Sequence, residues 1–150
     1  MGAMIRDAED ADWLMEGSDG ALSLLFDTGH LDFAGADPLA VLERWGHRVR
    51  HVHFKDVRQP VMERATEGDW CFLDAVAAGV FTVPGDPEGT IDFAAVTDRL
   101  AAMNYDGWIV VEAEQDLAKA PPFAYSTMGF EHVASLCARS GLPVHGGTGR

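Results

Sequence analysis

The sequence predicts an α/β protein, a (β/α) TIM barrel of which the chain supplies about four strand–helix units. From Ala21 onward β-type runs alternate with helical ones, the pattern of parallel strands joined by helical crossovers. Three of those runs finish on or beside residues able to ligate a metal: Ala21 to Phe26 before Asp27, Val49 to Phe54 with His53, and Trp108 to Glu112. Loops at the carboxyl ends of parallel strands converge at one mouth of a barrel, so these groups would meet there. A whole barrel takes about 250 residues, and this chain has 150. The competing architecture, a small doubly wound sheet, would be complete at that length.

Ahead of the first strand, Ile5, Ala8, Ala11, Leu14 and Met15 have the spacing of an amphipathic helix. The first unit pairs strand Ala21 to Phe26 with a helix opening at Asp37-Pro38, Asp as N-cap and Pro in the first turn. The second pairs Val49 to Phe54 with a helix around Asp69 to Ala78. The third has a weak strand, Val80 to Val83, then the Pro84 to Gly89 loop and a helix from Asp92 to Met103. The fourth pairs Trp108 to Glu112 with a helix from about Pro122 to Arg139, closed by Gly141 and Pro143. One domain is therefore expected over residues 1–143. The polar, glycine-rich 144–150 is expected to be a disordered tail.

A formal net charge of −13 with only scattered basic residues, Arg48, Arg50, Lys55 and Arg58 among them, would repel a polyanion and excludes nucleic acid as a partner. No apolar run approaches the roughly 18 residues of a membrane span, and Met1 to Met4 do not read as a secretory leader. A cytoplasmic location is the default expectation. Cys71 and Cys137 stand far apart in no paired motif and are expected to be reduced core thiols. Trp45, Trp70 and Trp108 read as core or rim packing, and His47, His132 and His145 as surface groups.

Residues two apart on a strand share a face, so His51 and His53 both point into the barrel, as do Val110, Glu112 and Glu114. Only the outermost reach the mouth. That assigns Asp27, His53 and Glu112 to a metal and puts His51 one layer deeper. Two carboxylates and an imidazole favour Mn²⁺, Mg²⁺ or Co²⁺ over a closed thiolate zinc site. Taken singly, each residue also has a plainer reading: a strand-end Asp caps the next helix, and a strand His satisfies a carbonyl. Lys55 and Asp56 are expected at the pocket rim, where a surface ion pair is the alternative. Glu114, Gln115 and Asp116 are placed to exchange hydrogen bonds with substrate hydroxyls, or to form a solvated acidic turn.

These residues resemble the xylose-isomerase-like barrel family of sugar isomerases, epimerases and dehydratases. In that family one metal is held by Glu, Asp, His and Glu from successive strand ends. Asp27 of Asp-Thr-Gly-His, His53 of His-Val-His-Phe-Lys-Asp and Glu112 of Trp-Ile-Val-Val-Glu match the last three, and His30 is similar to a substrate-contacting histidine. The first glutamate would lie ahead of Met1 with the other half of the barrel. More specific segments, Gly79-Val80-Phe81-Thr82-Val83-Pro84-Gly85-Asp86 and Glu114-Gln115-Asp116, resemble the members that dehydrate an inositol-derived cyclic ketone. Leu117 in place of a proline and Pro87-Glu88-Gly89 as a small insertion depart from that pattern.

The resemblance implies a metal-dependent hydro-lyase with His30 or Lys55 moving a proton, and His30, Lys55, Asp56 and Glu114 against the substrate, a small polyol ketone. A metal-stabilised enediolate can also be reprotonated, so a ketose isomerase or epimerase stays open, as does an inactive half barrel. Uncovered strand edges and interior also lead to an expectation of self-association.

Overall fold

The computed structural model describes residues 7–144. The elements in chain order are α1 (Ala8–Gly17), β1 (Leu24–Asp27), α2 (Thr28–Phe33), α3 (Pro38–Trp45), β2 (Val49–Phe54), β3 (Asp56–Val57), α4 (Gln59–Glu67), α5 (Phe72–Ala78), β4 (Phe81–Thr82), α6 (Phe93–Ala102), β5 (Trp108–Val111) and α7 (Pro122–Ser140). β1, β2 and β5 form a parallel sheet in the order β1-β2-β5. Its helices pack on one face, where Phe26, Val52 and Phe54 meet Leu42, Phe93, Leu100 and Leu136 in the main core.

Local chemistry sets the helix boundaries. Asp37 caps α3 by accepting from the Leu39 N–H, with Pro38 in the first turn, and Asp92 caps α6 through the Ala95 N–H. Gly141 ends α7 at φ 74°, left-handed backbone that glycine enters without penalty. α1 covers Ala8 to Met15 of the expected first helix and runs on to Gly17; Ile5 lies outside the described residues. Ion pairs from Arg44 to Asp12 and Glu16 tie it to α3.

Four expectations need correction. Val80 to Val83 does not join the parallel sheet: its centre, β4, pairs antiparallel with β3, and β5 lies directly against β2. The Arg58 N–H donates to the Val80 carbonyl, and Gly85 turns at φ 91° just beyond, which holds the segment against the continuation of β2. The helix expected at Asp69 to Ala78 begins only at Phe72, and α4 precedes it; α4 buries only Val61 and Ala65, too little periodicity to read from sequence. Cys137 is buried, but Cys71 is exposed at the α5 N-cap with Sγ directed at Asp74. Trp45 packs in the core, whereas Trp108 is 75% exposed and Trp70 is also exposed. Of the expected tail, all but Val144 lies outside the described residues.

Candidate metal centre and proton-transfer site

Strand register builds the centre. Asp27, His53 and Val110 stand side by side on β1, β2 and β5, and Glu112 follows β5 directly, its N–H donating to the Phe54 carbonyl. One layer below are Leu25, His51 and Trp108. Asp27, His53 and Glu112 each offer one ligand atom, and the three atoms lie within 4.8 Å of one another. That spread suits a single cation with bonds of about 2.0–2.6 Å, and the oxygen-rich donor set suits a hard divalent ion.

Asp27 has a second task. Its Oδ1 accepts the His30 N–H at 2.9 Å and caps α2, so the capping reading is borne out. Its Oδ2 lies 3.5 Å from His53 Nδ1, 3.3 Å from His30 Nδ1 and 3.4 Å from Lys55 Nζ.

Lys55 is not at the rim. It continues the inward parity of His51 and His53 and is 0% exposed. Its ammonium lies 2.6 Å from Glu112, 2.7 Å from Glu114 and 3.1 Å from His30 Nε2, with the Phe81 ring 5.0 Å away. Asp56 is also buried, but on the other side of the chain. Its Oδ1 accepts the N–H groups of Val57, Thr90 and Ile91, so it pins the 89–91 turn instead of facing the ligands. Burial outweighs those bonds and raises its carboxyl to about 6.

The Asp27-Thr28-Gly29-His30 stretch is built around Lys55. Thr28 Oγ1 donates to the Lys55 carbonyl at 2.7 Å and accepts its N–H at 3.0 Å, locking the backbone of the lysine. At Gly29 an added Cβ would lie 2.5–2.8 Å from the Lys55 stem. Gly29→Ala is therefore expected to cost about 1–3 kcal/mol through overpacking and to displace the ammonium, readable as a lower denaturation midpoint together with lost turnover.

His30 completes the cluster, Nε2 at 3.3 Å from Glu114 and its ring edge-on to Phe81 at 5.4 Å. Hydrogen bonds to Asp27 and Glu114 outweigh burial and raise it to about 9, so it is an imidazolium at neutral pH. Burial opposes charge on Asp27 and Glu114, but His30 and Lys55 overcome it and hold both at about 2. Burial likewise opposes the Lys55 ammonium, and Glu112 and Glu114 reverse that and raise its pKa.

These shifts fix a sign. The His30 contribution is full below its ordinary 6.5 and is lost as pH rises through about 9; that of Glu114 is full above 4.5 and is lost as pH falls through about 2. In metal-free protein the melting temperature is expected to fall between pH 7 and 9, and His30→Gln should flatten that fall.

A cavity of about 360 Å³, lined by Arg50, Arg99 and Tyr105 among others, opens at the amino ends of β2 and β5, away from the candidate ligands. A smaller one of about 260 Å³ lies beside Glu112 and Gln115.

Parallel strands that bring two carboxylates and an imidazole together at their carboxyl ends define a barrel with a candidate metal site at its mouth. The sequence matches the family described as Xylose isomerase-like TIM barrel over residues 2–136, and the chain belongs to that family. It is 51% identical over 138 residues to an inosose dehydratase of Geobacillus thermodenitrificans, covering 91% of this chain and 46% of that protein. It is 47% identical over 142 residues to the rhizopine catabolism protein MocC of Rhizobium meliloti, 95% of this chain and 43% of that protein. The chain thus spans less than half the length of these relatives. Among solved structures it is similar in fold to a probable 3-DHS dehydratase, AsbF, of Bacillus anthracis: TM-score 0.57 and 19% identity, over 81% of this chain and 43% of that one.

Proposed function

We propose that this chain carries the metal-binding, carboxyl-terminal half of a hydro-lyase that removes water from 2-keto-myo-inositol (scyllo-inosose) and yields a trihydroxycyclohexane-dione. The observation that carries the reading is the convergence of Asp27, His53 and Glu112 with two proton-bearing groups, Lys55 and His30. The names of the inosose dehydratase relatives support the substrate.

Asp27, His53 and Glu112 would hold a divalent cation, with Mn²⁺ or Co²⁺ favoured and Mg²⁺ also suited to the donors, which would supply a Lewis acid for the ketone and its neighbouring hydroxyl. The reaction moves two protons, one off the carbon beside the ketone and one onto the departing β-hydroxyl. His30, protonated at neutral pH, is assigned to the second. Lys55 is assigned to the first as the free amine, a form that a cation at Glu112 would favour by replacing the ammonium as that carboxylate's partner; the ammonium of the metal-free protein has no lone pair to accept a proton. Glu114, which accepts from both cations, holds them in place and is offered to substrate hydroxyls. Asp56 is left to its turn.

No helix of the described residues is long and apolar enough to cross a membrane, and two unpaired cysteines accord with a cytoplasmic setting. Among the described residues β1 and β5 each pair on one side only, and Leu25 and Trp108 are exposed beside them, which supports self-association or docking of the remaining barrel strands.

Titrating the purified chain with Mn²⁺ by calorimetry, and following 2-keto-myo-inositol turnover on the same sample, tests the reading. Binding with formation of an ultraviolet-absorbing dione supports it. Binding with formation of an isomer of unchanged mass would transfer the site to an epimerase.

A further inference from the structure

Arg58 is the most heavily engaged side chain outside the ligand cluster. Its guanidinium donates to the Gly79 carbonyl at 2.9 Å, the Phe81 carbonyl at 3.4 Å, Thr82 Oγ1 at 3.0 Å, Asp86 Oδ2 at 2.6 Å and the Tyr125 hydroxyl at 3.3 Å. Glu88 pairs with its Nε at 3.3 Å. Thr82 Oγ1 also donates to Asp86 at 2.7 Å and accepts from Gln115 Nε2 at 3.5 Å. None of these partners is a candidate ligand. They belong to four separate pieces of chain: the end of α5, β4 with its loop, the residue after Glu114, and α7.

What those pieces carry gives the fork its meaning. Phe81 is wholly buried, with its ring against both His30 and the Lys55 ammonium. Gln115 is the neighbour of Glu114, which bonds both cations. β4 is only two residues long and outside the parallel sheet, so its own ladder with β3 can do little to fix it.

We propose that Arg58 is a positioning residue: its guanidinium fork holds β4, and through Thr82 the Gln115 loop, so that Phe81 walls the His30–Lys55 pair and Glu114 stays within reach of it. The inference rests on the catalytic reading of that pair. An arginine is required because several donors in a fixed plane must satisfy carbonyls, hydroxyls and carboxylates on three segments at once, Gln115 being reached only through Thr82. A lysine offers one ammonium on a flexible stem. The Phe81 ring excludes water from the two cations, so displacing it changes how their protons are held without touching the ligands.

The test uses Arg58→Lys and Arg58→Met in the full chain, with three readouts. The ring resonances of His30, placed by the Phe81 ring current, are expected to shift in two-dimensional proton–carbon spectra while those of His51 stay put. Mn²⁺ affinity is expected to change less than about threefold, and kcat to fall about 10- to 100-fold, the scale of a misplaced catalytic group. In a Phe81→Leu background Arg58→Lys should add little further, because both changes act through one ring. Unmoved His30 resonances in folded Arg58→Lys, or wild-type kcat in that variant, would overturn the proposal. If Arg58→Met fails to fold, Arg58→Lys decides alone. Shifted resonances in a chain whose wild type lacks turnover would uphold the positioning and count against the catalytic reading instead.

Discussion

Lys55→Met is expected to abolish turnover and to destabilise the metal-free protein by about 2–4 kcal/mol, with much of that loss recovered on adding Mn²⁺. Methionine matches the lysine stem in length, so the buried volume stays filled and the charge is what disappears. In the wild type the ammonium is wholly buried between Glu112 at 2.6 Å, Glu114 at 2.7 Å and Asp27 at 3.4 Å. Without it, three carboxylates face each other with only the His30 imidazolium to offset them. Breaking a buried pair costs about 3–5 kcal/mol. Glu112 and Glu114 are about a third exposed, and water screening them justifies the lower figure.

A divalent ion at Asp27, His53 and Glu112 would neutralise the same carboxylates and would compete with Lys55 for Glu112. The variant should therefore bind Mn²⁺ at least as tightly as the wild type. Chemical denaturation with and without Mn²⁺, beside calorimetry, checks both halves. Unchanged metal-free stability would mean that the ammonium does not balance the cluster. Unchanged turnover would remove Lys55 from the chemistry.

What could be read from sequence follows from which interactions are local. The caps Asp37 and Asp92 and the Gly141 stop announce α3, α6 and the end of α7 within one turn of chain, and all three stand as expected. The convergence of Asp27, His53 and Glu112 was legible because each ends a β run, and strand ends in a parallel sheet share one edge. Strand order was not: β4 turns aside through the Arg58 N–H and a left-handed Gly85, contacts between residues more than twenty positions apart.

Lys55 was misplaced for a more instructive reason. Distance beyond the last strand residue suggested the rim, yet the alternation that put His51 and His53 inside continues through Lys55 and puts Asp56 on the opposite side. Period two was the signal that could have buried Lys55 and removed Asp56 from the mouth. Gly29 was a further clue, since a small residue after the capping Asp27 leaves room for the lysine stem.

Asp27→Asn separates the three tasks this one side chain performs. As an N-cap, Asn serves nearly as well as Asp, so α2 should persist and stability should stay within about 1 kcal/mol of wild type. As a ligand, the amide has lost the negative charge, and Mn²⁺ affinity is expected to fall at least about 100-fold, more than loss of a residue that merely supports a ligand. As a partner of His30, it removes the hydrogen bond that does most to raise the imidazole to about 9, so its titration should move toward 6.5, held partway by Glu114. Asp27→Ala would also lose the cap and cost a further 0.5–2 kcal/mol or so. Calorimetry, an NMR titration of His30 and denaturation of both variants read the three tasks independently. Retained metal affinity in Asp27→Asn would strike Asp27 from the ligands while leaving its cap intact, and the centre would then have to be sought around His53, Glu112 and Glu114.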